Sequence, residues 1–145
     1  VAASGVAVYA VGAGTFLAIQ IPVVLIGASI GVWLFFVQHQ FERTYWEHQP
    51  DWSHPEPALH GSSFYDLPRL LMWMTGNIGI HHLHHLSCRI PFYNLPEALA
   101  DHPQFRQVGR LTLWQSLRCA RLSLWDEDKR RLVSFAEVRA AQAAV

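Results

Sequence analysis

His81-His82-Leu83-His84-His85 places four imidazoles within five positions. On a helix, residues 81, 84 and 85 fall at i, i+3 and i+4 and share one face, while residue 82 points roughly 100° away from residue 81. Three neutral imidazoles aimed at one point suit iron, copper, nickel or zinc. The competing reading is a solvated histidine tract or a tag, but tags are terminal and uninterrupted, whereas this run is internal and bounded by Ile80, Leu83 and Leu86. Asn77, four residues before His81, is either the N-cap of the histidine helix or an outer support for a ligand, and His82 has the same outer role open to it. Three imidazoles do not saturate a metal site, and His39 offers one more from a separate helix, with Glu42 as its outer partner. His48, His54, His60 and His102 fall in proline-rich or polar stretches and read as surface residues.

The elements that must position these residues belong to two different solvents. The chain has 145 residues, 51% apolar, with 11 basic and 11 acidic side chains. Every charge lies at or after Glu42. Residues Thr15 to Val37 form an apolar run whose clearly polar members are Thr15, Gln20 and Ser29. That run is long enough to cross a bilayer core as a helix, with Pro22 near its start where a missing N–H costs least. Val1 to Val11 reads as the end of a preceding transmembrane helix, separated by Gly12-Ala13-Gly14. Gly27 and Gly31 give the span a small-xxx-small face. Trp33, Phe35, Phe36, Phe41, Tyr45 and Trp46 crowd its far end, as aromatic rings do at a membrane surface. Residue 1 is Val and the apolar run starts at once without a basic n-region or cleavage site, so the expectation is a C-terminal fragment of a larger membrane protein.

Beyond the span, the helical count continues outward through His39, Glu42, Arg43 and Trp46 as one stripe, with Pro50 ending it. Residues Asp51 to Gly61 read as a proline-rich loop and Leu67 to Met74 as a short interfacial segment. A helix capped by Asn77 is expected to run through the histidines to about Leu86. Further helices are expected from Asn94 to about Asp101 and from Leu111 to Arg121. Alternating residues from Leu122 to Phe135 indicate a small β-hairpin, while Ser134 and Glu137 have capping-box spacing for a terminal helix. The fold class expected is therefore an all-α membrane protein fragment with a possible hairpin: residues 1–11 and 12–38 in the membrane, residues 39–145 a cytosolic cap. Cys88 and Cys119 are too few for a disulfide scaffold, and the neutral charge balance gives no footprint for nucleic acid.

Two segments, Trp33-Leu-Phe-Phe-Val-Gln-His39-Gln-Phe-Glu42-Arg-Thr-Tyr-Trp46 and Gly76-Asn-Ile-Gly-Ile-His81-His-Leu-His84-His85-Leu-Ser, followed by Arg89-Ile-Pro91-Phe-Tyr-Asn94-Leu, resemble the C-terminal part of the membrane-bound fatty acid desaturases. The likeness is greatest to the Δ12 (omega-6) branch and covers roughly Val1 to Phe135. His81, His84 and His85 match the family's third histidine box, and His39 matches the additional histidine after the last span. The resemblance implies two non-heme irons held by histidines, dioxygen as co-substrate, and removal of two hydrogens from an acyl lipid or acyl thioester. It also implies a ferredoxin or cytochrome b5-type electron donor, with the metal ligands His39, His81, His84 and His85. Leu86 and Ile90 are candidate lining residues for the acyl chain.

The chain departs from the family pattern by lacking the first two histidine boxes, so four imidazoles are too few for two irons and this chain alone is expected to be inactive. Cys88 stands where relatives are expected to have proline. A related hydroxylase or ketolase would use the same boxes, and a histidine-rich metal transporter is the alternative from a different class; the latter usually places polar ligands inside its span. All Lys and Arg lie on the C-terminal side of the span, so the cap is expected to be cytosolic.

Overall fold

The computed structural model describes residues 2–48, 53 and 55–143. Readings that rest on Val1, Pro50 and His54 lie outside the described residues. Residues 1–35 and 36–145 form two compact units.

The first unit holds α1 (Ala2–Val11) and most of α2 (Ala13–His39). Gly12 separates the two helices at φ +79°, a left-handed conformation that a side chain would resist. α2 is the one described helix long and apolar enough to cross a membrane. Its large apolar residues, from Leu17 through Val32, are exposed in the isolated chain.

In the second unit the chain runs α3 (Pro55–His60), β1 (Phe64–Asp66), α4 (Arg69–Met74), α5 (His81–Leu86), α6 (Leu95–Asp101), a 3-10 turn (Pro103–Gln107), β2 (Arg110–Thr112), α7 (Leu113–Cys119), β3 (Leu124–Asp126), β4 (Arg131–Val133) and α8 (Phe135–Ala143). β1 and β2 pair in parallel, Phe64 opposite Arg110 and Asp66 opposite Thr112. Parallel strands cannot be joined by a tight turn, so the chain between them must cross over. That crossover contains α4, α5 and α6, and hence the histidine helix.

The core of this unit forms where α5 turns Leu83 inward beside Ile80, against Phe64, Leu95 and Leu99. Fully burying each such side chain stabilises by about 1.5–3 kcal/mol. Backbone bonds pin the entry to α5: the Tyr65 amide donates to the Gly79 carbonyl at 2.7 Å, and Phe64 and Ile80 form an isolated bridge. A Cβ on Gly79 would stand 2.3 Å from the Tyr65 carbonyl oxygen and 2.7 Å from Met72 Sδ.

β3 and β4 form the expected hairpin, Leu124 opposite Val133, and Ser134 accepts the Glu137 amide at 3.2 Å at the start of α8. Both readings of the tail therefore hold together. Four other expectations are corrected. The stripe from His39 to Trp46 is not helical: α2 stops at His39, where the Thr44 hydroxyl donates to the His39 carbonyl and the Leu132 amide takes the Glu42 carbonyl. Asn77 does not cap α5, because it sits at φ +57° in a turn and its amide donates to the Phe92 carbonyl at 3.2 Å. The proline-rich stretch contains α3, and its carbonyl at Pro57 is taken by the Gly61 amide. The helix expected from Leu111 begins at Leu113, because Arg110–Thr112 is drawn into β2 and Thr112 forms a capping box with Gln115.

Gly79→Ala is expected to lower stability by about 1–3 kcal/mol, the range for overpacking a filled site. Thermal or urea unfolding followed by circular dichroism checks this, and an unchanged midpoint would contradict the contact.

Candidate metal centre

α5 has two faces with different tasks. Leu83 and His82 are buried on the core side, where His82 packs on Phe64 and Phe105 at ring-centroid distances of 5.7 and 6.5 Å. His81, His84 and His85 occupy the other face, as their spacing requires. The end of α2 brings His39 to that face. His85 Nε2 stands 3.0 Å from His81 Nε2 and 3.2 Å from His39 Nε2. One ligand nitrogen from each of these three rings lies within 4.8 Å of the others. His84 stands beside the trio, stacked on the His81 ring at 5.6 Å and edge-on to His85 at 5.9 Å.

This arrangement is a poor hydrogen-bond network and a good donor set. A neutral imidazole nitrogen carries either one hydrogen or one in-plane lone pair, so His85 Nε2 can satisfy only one of its two neighbours well. A cation accepts all three lone pairs. With metal–nitrogen bonds near 2.0–2.1 Å, adjacent ligand nitrogens sit roughly 3 Å apart, as the two measured separations do. The residues present therefore fit a nitrogen-ligated transition metal.

Electrostatics favours the neutral, ligating form of His81 and His85. Burial, reinforced by the neighbouring imidazoles of His85, His39, His84 and His82, pushes the His81 pKa down to about 3. Burial first, then His39 and His84, lowers that of His85. His82 falls to about 4 through burial, partly opposed by the Phe105 backbone, and neither of its ring nitrogens has a hydrogen-bond partner of good geometry.

The other sequence-derived candidates lie elsewhere. The Glu42 carboxylate pairs with Arg131 Nη1 at 2.9 Å, and Asn77 bonds to Phe92. His48, His60 and His102 are exposed, as expected of surface residues. Cys88 is an exposed free thiol.

Gln38 is the positioning residue that the sequence reading passed over. It is buried, and its amide donates to the Ile78 carbonyl at 2.8 Å, tying the residue before His39 to the turn before His81. The Ser63 amide in turn donates to the Gln38 carbonyl at 2.8 Å. The available signal was a single amide side chain at the end of a long apolar run, next to a candidate ligand.

With this geometry in hand, comparison with known proteins is informative. The family model described as "Fatty acid desaturase" matches residues 1–116. A "Fatty acid desaturase" from Bacillus subtilis (strain 168) is 50% identical over 125 residues, a match covering 86% of this chain and 36% of that relative. The chain thus spans about a third of the length of the curated relative it matches. No solved structure matches it.

Two substitutions separate ligation from packing. Gln38→Leu strands the part-buried Ile78 carbonyl, a loss of about 1–3 kcal/mol, and is expected to weaken cobalt(II) binding several-fold in a spectroscopic titration. His82→Phe, which fills the same space without orphaned nitrogens, is expected to leave cobalt affinity unchanged. Loss of binding in His82→Phe, or none in Gln38→Leu, would contradict these assignments.

Proposed function

The chain belongs to the fatty acid desaturase family, and from that premise we propose that it supplies part of the metal centre of a membrane-bound, oxygen-dependent acyl desaturase. The observation that carries the proposal is the convergence of His39 with His81 and His85. A pair of non-heme irons, when bound, would supply the oxidation: two hydrogens leave adjacent methylenes and dioxygen becomes two waters, with two of the four electrons from a ferredoxin or cytochrome b5-type donor and two protons from solvent. His39, His81, His84 and His85 would hold iron here. Burial keeps His81 neutral and able to donate its lone pair, while Gln38 fixes the approach of His39. Leu86 and Ile90, packed against the core cluster beneath α5, are the proposed contacts for the acyl chain. Placement of that flexible chain decides which C–C bond reacts.

The finer assignments follow from the same premise. Regiospecificity is proposed as Δ12 (omega-6), with an acyl lipid or acyl thioester as substrate. α2 is proposed to cross the membrane with residues 39–145 on the cytosolic side, since every Lys and Arg follows it. Four imidazoles are too few for two irons, so the remaining ligands are proposed to come from sequence outside this chain, which by itself is inactive.

The full-length protein expressed in a bacterial host should yield a new unsaturated fatty acid, detected by mass spectrometry of methyl esters. His81→Ala and His85→Ala should each abolish it. A hydroxylated product without a new double bond would overturn desaturation in favour of a related hydroxylase.

A further inference from the structure

A second site lies apart from the histidines. A cavity of about 920 Å³ opens among the turn after α2, β2, α7 and the hairpin. Phe41, Leu111 and Leu122 give it an apolar floor, and five arginines and two glutamates line it. In a chain of zero net charge that is a local excess of three positive charges. Both glutamates are already engaged: Glu42 and Glu137 each pair with Arg131. Arg110 is held by Asp66 at 2.6 Å. Arg43, Arg118 and Arg121 are left with no ion-pair partner among the described residues. Arg118 and Arg121 lie at the C-terminal end of α7, whose dipole offsets about half a charge and leaves most of the excess.

Guanidinium groups present fixed N–H forks that match phosphate oxygens, and three of them above an apolar floor select a ligand with both properties. We propose that this cavity binds the phosphate of a phosphorylated amphiphile through Arg43, Arg118 and Arg121. The inference stands on the cavity alone and does not depend on the desaturase reading. A membrane phospholipid and a soluble phosphorylated amphiphile share this chemistry.

The test is a phosphorus NMR titration of sn-glycerol 3-phosphate against the native protein in uncharged detergent micelles. Saturable binding is expected, weakened at least tenfold in R118A/R121A and at least threefold in Arg43→Gln, which lies on a different element. R106A/R139A removes two arginines outside the cavity and should change affinity less than twofold. Unfolding midpoints identify any variant that has lost its fold, and Arg43→Gln then decides. Repeating the titration in nanodiscs assigns the source: phosphatidylglycerol competing with glycerol phosphate identifies a lipid headgroup, and equal affinity in phosphatidylglycerol and phosphatidylcholine identifies a soluble ligand. Absence of saturable binding, or equal weakening in R106A/R139A, would overturn the proposal.

Discussion

Three ring nitrogens, on His39, His81 and His85, are held about 3 Å apart along two edges, closer than neutral imidazoles can all hydrogen-bond. His81 is buried, His39 half-buried and His85 exposed, so the rings gain little from one another, and the fold must hold them there by other means. Those means are visible. The parallel β1–β2 pair forces a long crossover, and the crossover presents α5 with its apolar residues inward and its ligating histidines outward. Gly79 lets the chain pass close to the Tyr65 carbonyl at the entry to α5.

The other half of the constraint is the position of His39. α2 ends there because the chain after it is clamped. Gln40 donates to the Leu122 carbonyl, the Leu132 amide to the Glu42 carbonyl, Arg131 pairs with Glu42, and Arg130 with Glu47. The exposed ion pairs contribute modestly to stability. The backbone and amide bonds do more, since they involve groups that would otherwise be buried unpaired. Gln38 and Ser63 then join the end of α2 to the strand and turn that lead to α5. The last residue of a long apolar helix and a helix some 40 residues later are thereby brought to one point.

Much of this was legible in the sequence because it follows from periodicity. The i, i+3, i+4 spacing of His81, His84 and His85 dictates a shared face, and the alternation around Leu124 and Val133 dictates a hairpin. What escaped depends on partners distant along the chain. Pairing of Phe64–Asp66 with Arg110–Thr112 has no local signature in three-residue strands, so local pattern alone starts the helix at Leu111 instead of Leu113. Asn77 has cap-like chemistry, but the turn it occupies is set by Phe92 and the packing of Gly79. Glu42 lies one helical turn from His39 by count, yet the hairpin's arginine claims it. The placement of His84 beside the trio rather than within it also depends on ring orientation, which spacing does not specify.

Iron K-edge X-ray absorption on the native full-length protein and its His85→Ala variant addresses the shared donor set directly. Imidazole scattering in the native spectrum should weaken in the variant, or iron content should fall with it. Identical spectra and identical iron content in the two proteins would mean that His85 and its neighbours hold no metal.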